Sequence, residues 1–287
     1  MLTRYYMAVI CCLFSLASFA QGEPTAYTQY EDYNLWNLNK ADTAYVFAEQ
    51  AYIRSAPSLK GTILDTLSAG QQVLISSEGY NGNTIRGIAA PWHEVTYLKG
   101  AQRKKGFIWL GLLALNGSRN SEGLLFVTGF KKLVPETSLK SAYYETALKV
   151  FNAQQQLLTS ELYQTDSGGQ LGTESKLLGG MGLQNIKNIH RFGLLSGACG
   201  VPSLFYYFAW NGTTLIRFPD KMSVSDAGVF YHEETLLFPS EHRGDPTLIY
   251  KRTVTGENTD DSLDEPIYKE TKGQRTYHWD GRTLLER

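Results

Sequence analysis

The sequence predicts a mainly β protein, with a small barrel over residues 43–115 followed by a larger antiparallel β-meander or sandwich-like domain over residues 121–287. Three observations carry this. Residues 43–115 hold five or more short β-prone runs separated by turn residues, the spacing of a small barrel. The run Ser203–Trp210 is apolar or aromatic on both strand faces, as in a central strand covered from two sides. Finally, Phe208-Ala209-Trp210-Asn211-Gly212-Thr213-Thr214-Leu215 and Tyr277-His278-Trp279-Asp280-Gly281-Arg282-Thr283-Leu284 share the pattern aromatic-x-Trp-Asn/Asp-Gly-x-Thr-Leu. Asn-Gly and Asp-Gly supply the two positive-φ positions of a type I′ hairpin turn, so both segments are expected to be hairpins.

At the start of the chain, Arg4 precedes an apolar stretch over residues 8–19, which ends at Ser18-Phe19-Ala20 before Gln21-Gly22-Glu23-Pro24. That layout is a signal peptide, residues 1–20, with cleavage expected after Ala20. The stretch is too short for the roughly 20 residues of a spanning helix, and no later apolar run reaches that length, so no membrane span is expected. The mature chain is therefore expected to be exported, to a periplasm or to the cell surface. Cleavage removes Cys11 and Cys12 and leaves Cys199 as the single thiol, so no internal disulfide is available and the fold must rest on its core. With 43% hydrophobic residues such a core is within reach, and the length favours two domains. A net charge of −1 argues against nucleic acid as partner.

Residues 21–42 read as an aromatic-rich tether, whose Tyr27, Tyr30, Tyr33 and Trp36 are too dense to stay solvated; one or two are expected to dock on a neighbouring domain. Strand signals follow at Tyr45-Val46-Phe47 and Tyr52-Ile53-Arg54, broken by Ser55-Ala56-Pro57-Ser58. Further strands are expected at residues 62–67 and 72–75, with a turn at Ser68-Ala69-Gly70. The cluster Gly79-Tyr80-Asn81-Gly82-Asn83 reads as a loop or hairpin, and residues 92–97 and 106–110 as the last strands.

In this order, Tyr52-Ile53-Arg54-Ser55-Ala56-Pro57-Ser58, Gly70, Trp92 to Val95 and Gly106-Phe107-Ile108 resemble the bacterial SH3 (SH3b) family over about a quarter of the chain. The departures are Tyr52 where that family usually has Asn, and a longer insertion between Ile75 and Trp92. The resemblance implies an SH3-like barrel that recognises a ligand, often at cell walls. Tyr52, Arg54, Trp92 and Trp109 are the candidate ligand-binding residues of this segment, with Tyr52, Trp92 and Trp109 as an aromatic groove, although core is the preferred role for Trp92.

Beyond Asn116-Gly117-Ser118, strands are expected at residues 124–127, 147–151 and 157–163, with Asn152-Ala153-Gln154 as a hairpin turn. Residues 138–151 also fit one amphipathic helix; the strand is preferred. The glycine-rich tract 168–200 lacks the third glycine of a dinucleotide fingerprint and reads as loops linking strands around Ile186-Lys187-Asn188-Ile189. Strands at residues 229–231, 247–250 and 267–269 complete the meander.

Chemistry is sparse. Cys199 is the one possible thiol nucleophile, with His232 or His278 as base, but Ser196-Gly197-Ala198-Cys199-Gly200-Val201-Pro202 resembles neither the NlpC/P60 peptidases nor the L,D-transpeptidases; a buried, inert thiol is preferred. His232-Glu233-Glu234 lacks a second His four residues on, and residues 257–265 lack the pattern of an EF-hand loop, so no metal and no cofactor is expected. Trp210 and Trp279 either stack on a sugar ring or cap the sheet against the core, and the cap is preferred. The function expected is non-enzymatic recognition of a cell-wall, glycan or protein ligand, and the alternative is a cell-envelope cysteine peptidase or amidase using Cys199.

Overall fold

A computed structural model describes residues 27–29, 34–260 and 265–287. The expected signal peptide, residues 1–20, Tyr30, Tyr33 and the centre of the acidic loop, Asp261 to Asp264, lie outside these residues. The protein is mainly β, and every strand pair among the described residues is antiparallel.

The first sheet comprises β1 (Thr43–Tyr45), β2 (Gln50–Arg54), β3 (Ile63–Ser68), β4 (Gln72–Ile75), β5 (Tyr80–Ile85), β6 (Ile88–Lys99) and β7 (Gln102–Trp109). Its order is β1-β4-β6-β7-β2-β3, with β5 on β6. Alternation sets the faces: in β2, Ala51 and Ile53 are buried while Gln50 and Tyr52 are exposed. No pairing joins β1 to β3, so the barrel expected for residues 43–115 is not closed by hydrogen bonds among the described residues. The glycine of the Gly106-Phe107-Ile108 motif has a steric reason, because a Cβ there would lie 2.4 Å from Ile53 Cγ2 and 3.1 Å from the Arg54 carbonyl.

The second sheet is β8 (Asn116–Arg119), β9 (Leu125–Val134), β10 (Tyr143–Phe151) and β11 (Leu157–Asp166), in order β11-β10-β9-β8. Residues 143–151 are thus strand, and Asn152 to Gln156 form the turn into β11. The sheet is apolar on both faces. Leu125, Val127, Ala147 and Phe151 pack with Phe47 of the first segment, whereas Phe126, Phe130, Leu148 and Val150 share a core with Phe192, Phe208 and Trp210 of the third sheet. A strand sandwiched in this way shows a continuous apolar run rather than alternation, as Leu125-Phe126-Val127 does.

The third sheet holds β12 (Gln170–Leu178), β13 (Asn188–Ser196), β14 (Ser203–Trp210), β15 (Leu215–Arg217), β16 (Lys221–Asp226), β17 (Phe230–Leu237), β18 (Leu248–Asn258), β19 (Tyr268–Trp279) and β20 (Leu284–Glu286), with one helical turn, α1 (Pro239–His242), before β18. The order β12-β13-β14-β16-β17-β18-β19-β20, with β15 on β14, makes it an antiparallel meander in which β14 is central, as its two apolar faces require. The glycine-rich tract holds the strands β12 and β13, linked by the loop 179–187. Asn116 Nδ2 donates to Thr173 Oγ1 at 3.0 Å, tying β8 to β12, and Thr173 donates on to the Leu35 carbonyl at 2.9 Å. The tether is also docked: Trp36 is buried, donates from Nε1 to the Leu113 carbonyl at 3.0 Å and meets Phe130 edge-on.

Two turn expectations are corrected. Trp210 pairs with Leu215 and Trp279 with Leu284, so each hairpin closes through four residues rather than two. Only Gly212 and Gly281 have positive φ there. Asn211 Oδ1 instead accepts from the backbone N–H groups of Thr213 and Thr214, and Asp280 Oδ1 from those of Arg282 and Thr283. A side chain that caps its own turn in this way replaces the type I′ geometry. The two-residue turn with both φ positive occurs at Arg86 (53°) and Gly87 (78°), between the paired Ile85 and Ile88. Most of the Gly79-Tyr80-Asn81-Gly82-Asn83 cluster is strand β5, which leads to that turn.

Candidate functional site

The Arg86-Gly87 turn is docked on the second sheet, where Leu133 N donates to the Arg86 carbonyl at 2.9 Å. Contact is close enough to require the glycine: a Cβ on Gly87 would lie 2.8 Å from Leu133 Cβ, in a left-handed conformation besides. Gly87→Ala is therefore expected to cost about 1 to 2 kcal/mol, read as a lowered urea midpoint at unchanged m; an unaltered midpoint would mean that the turn is not held against β9.

Between this turn, β2 and the strands β9 and β10 lies a cleft of about 560 Å³. Tyr52, Arg54, Trp92 and Trp109 all line it, together with Phe47, Leu59, Ile85, Leu112 and the charged residues Glu49, Arg86, Lys131 and Lys149. The four residues singled out in the sequence are thus brought to one place, with different parts in it. Tyr52 is 40% exposed on the wall of the cleft. Arg54 donates from Nη1 to the carbonyls of Leu59 (3.1 Å) and Gly61 (2.8 Å), which folds the 55–61 loop so that Leu59 reaches the cleft. Trp92 and Trp109 are 1% exposed and anchored, Trp92 Nε1 on Asn83 Oδ1 (2.6 Å) and Trp109 Nε1 on the Ala90 carbonyl (3.0 Å). They form a floor, Trp92 in the core position preferred for it and Trp109 buried beside it.

The cations Arg86, Lys131 and Lys149 were missed in the sequence. Lys149 carries the one clear signal, a charge inside the apolar run Ala147-Leu148-Lys149-Val150-Phe151. Its side chain shares the β10 face of Ala147 and Phe151, directed at the first sheet. Nζ donates to the Phe47 carbonyl at 2.9 Å and lies 4.5 Å from the centre of the Phe47 ring. Burial lowers its pKa below the ordinary lysine value, opposed by the nearby Glu49 carboxylate and assisted by Lys131.

The remaining candidates lie elsewhere. Trp210 and Trp279 are each 1% exposed within the cores that flank the third sheet, and Trp279 Nε1 donates to the Gln184 carbonyl. A layer covers the Trp that precedes each turn, so neither indole is open to a sugar ring. Cys199 is exposed, contrary to the expected burial, and lines a separate cavity with His232. No hydrogen bond joins Cys199 and His232 among the described residues. His232 Nδ1 is engaged by Thr255 Oγ1 at 2.8 Å, and Nε2 faces Glu234 Oε1 at 3.6 Å. His278 pairs with Leu248, eight residues along β19 from Glu270, the level of β18 and β17 at which Gly256 and Tyr231 sit. At about 3.3 Å per residue that is roughly 26 Å from the His232 end of the sheet. The cavity thus brings His232, and not His278, to Cys199, without a hydrogen bond between them among the described residues. Among the described residues no group of three or more His, Cys, Asp or Glu is placed to hold a metal ion, and no helix is long and apolar enough to cross a membrane.

A scan against protein-family models, a search of curated proteins and a search of solved structures each find no significant match to the chain.

Proposed function

We propose that the chain is an exported, non-enzymatic binding protein that recognises a cell-wall, glycan or protein ligand, with the SH3b-like segment 43–115 supplying one wall of the binding site and the following β-rich region the other. The observation that carries this reading is the cleft itself. Its volume falls in the range of small-ligand sites, it gathers Tyr52 and Arg54 from β2 over a fixed indole floor, and its far side is built by β9 and β10. Concave, largely apolar lining with a few convergent polar groups is the usual composition of such a site.

The test is retention of the chain lacking residues 1–20 on insoluble cell-envelope material. Tyr52→Ala is expected to weaken retention about ten-fold, the effect of losing roughly 1.4 kcal/mol of contact, without moving the melting temperature by more than a degree or two. Equal retention of wild type and Tyr52→Ala would overturn the proposal. In the same assay Cys199→Ala is expected to be neutral, and a release of soluble envelope fragments by wild type that this variant fails to produce would place the function with a cysteine hydrolase instead.

A further inference from the structure

Lys149 is the one Lys or Arg among the described residues that is buried, and its ammonium lines a cleft rather than meeting a carboxylate. No Asp or Glu oxygen lies within 4 Å of Nζ among the described residues; the Phe47 carbonyl is its hydrogen-bond acceptor. An ammonium has three N–H donors, so two remain beyond the bond to the Phe47 carbonyl. Buried charges are normally paired, because an unpaired one loses its hydration without compensation. The cleft adds to the imbalance: Arg54, Arg86, Lys131 and Lys149 face a single carboxylate, Glu49. Arg54 is committed to the carbonyls of its own loop, which leaves Arg86, Lys131 and Lys149 for an incoming anion.

We infer that the cleft binds the free carboxylate of a short peptide that ends in an apolar residue, with the carboxylate on Lys149 and the apolar side chain against Leu59, Ile85 and Leu112. This rests on the reading of the cleft as the ligand site. The choice of a peptide over an acidic sugar follows from the walls. A saccharide offers several hydroxyls and needs several neutral or acidic partners for them, whereas here the neutral polar side chains are Gln50 and the Tyr52 hydroxyl, and the indoles are too buried to stack. A carboxylate on an aliphatic body meets both halves of the lining, the cations by charge-assisted hydrogen bonds and the aliphatic walls by burial. A bound carboxylate also reverses the effect of burial on Lys149, restoring its charged form, so ligand binding and protonation of this side chain are linked.

The experiment uses the chain without residues 1–20 and two probes, N-acetyl-alanyl-leucine with a free carboxylate and the same dipeptide as its C-terminal amide, titrated by calorimetry at low salt. The acid is expected to bind at least ten-fold more tightly than the amide and to weaken as salt is added. Lys149→Met is expected to remove the difference between the two probes while leaving the fold intact by thermal unfolding, and Lys149→Arg to retain most of it. Equal binding of acid and amide, or a preference for the acid that survives in Lys149→Met, overturns the inference. Binding of glucuronate in place of the dipeptide likewise overturns it and assigns the cleft to an acidic sugar. If neither probe binds but Tyr52→Ala still weakens retention on envelope material, this inference fails and the cleft remains the ligand site; if Tyr52→Ala changes nothing, the reading of the cleft itself has failed.

Discussion

On acidification from pH 6.5 towards pH 3 the protein is expected to lose stability, and one side chain, His190, contributes a loss on the order of a few kcal/mol. This imidazole is fully buried on β13, between the second and third sheets, where it stacks on Phe126 and its Nε2 meets Thr128 Oγ1 at 3.0 Å. Nδ1 has no partner. An unpaired acceptor in an apolar layer is tolerable, but a second N–H carrying positive charge is not, and burial accordingly lowers the pKa from 6.5 to about 3. Because the folded value is the lower one, the unfolded chain binds a proton below pH 6.5 that the folded chain refuses until about pH 3. Stability is thus fully present above 6.5 and falls across that window. His93, buried on β6 and also lowered by burial, acts in the same direction, while Asp220, raised by burial, opposes it. Urea midpoints measured from pH 7.5 to pH 4 provide the check. His190→Gln, although weaker at neutral pH, is expected to show a much flatter profile. A wild-type midpoint that stays level from pH 7 to pH 5 would mean that the ring is hydrated or already charged.

The origin of that histidine's environment shows what could be read from the chain and what could not. Alternation in β2 and the doubly apolar run of β14 follow from strand geometry, so these elements were legible. Hairpins at Asn211-Gly212 and Asp280-Gly281 were legible as hairpins, but not their loop length, because an Asx side chain satisfies turn N–H groups that the type I′ reading leaves to the strands. The Arg86-Gly87 turn was missed since Arg is no turn former, and what holds it there is a contact with Leu133 almost fifty residues on. Burial of Trp210 and Trp279 depends on covering layers that local pattern does not encode. The cleft was half legible. Tyr52, Arg54, Trp92 and Trp109 come from one motif-bearing segment, whereas Lys131 and Lys149 arrive from strands whose approach is set by the packing of Phe47 on the second sheet. Only Lys149, a cation in an apolar strand, was visible as an anomaly.

That packing of Phe47 is itself open to test at Gly129, where Gly129→Ala is expected to destabilise the protein by about 3 kcal/mol. Gly129 lies in β9 opposite Ala147 of β10, in an extended conformation that alanine adopts without difficulty. Space is the constraint. The Phe47 ring lies flat on the glycine, so that an added Cβ would sit 2.4 Å from Cγ, 2.6 Å from Cδ2 and 2.7 Å from Cδ1. Phe47 is 3% exposed and wedged among Leu125, Val127, Ala147 and Phe151, so it cannot swing aside without displacing that layer. The same residue holds Leu112 through its N–H and Lys149 through its carbonyl, so the shift is transmitted to the cleft. Unfolding of Gly129→Ala, Phe47→Leu and the double variant separates crowding from any general cost of a methyl group in β9. Crowding by the ring makes the double variant more stable than the sum of the single losses by at least 1 kcal/mol. Strict additivity would mean that the two residues do not meet, and the route by which the second sheet positions Lys149 in the cleft would then have to run through some residue other than Phe47.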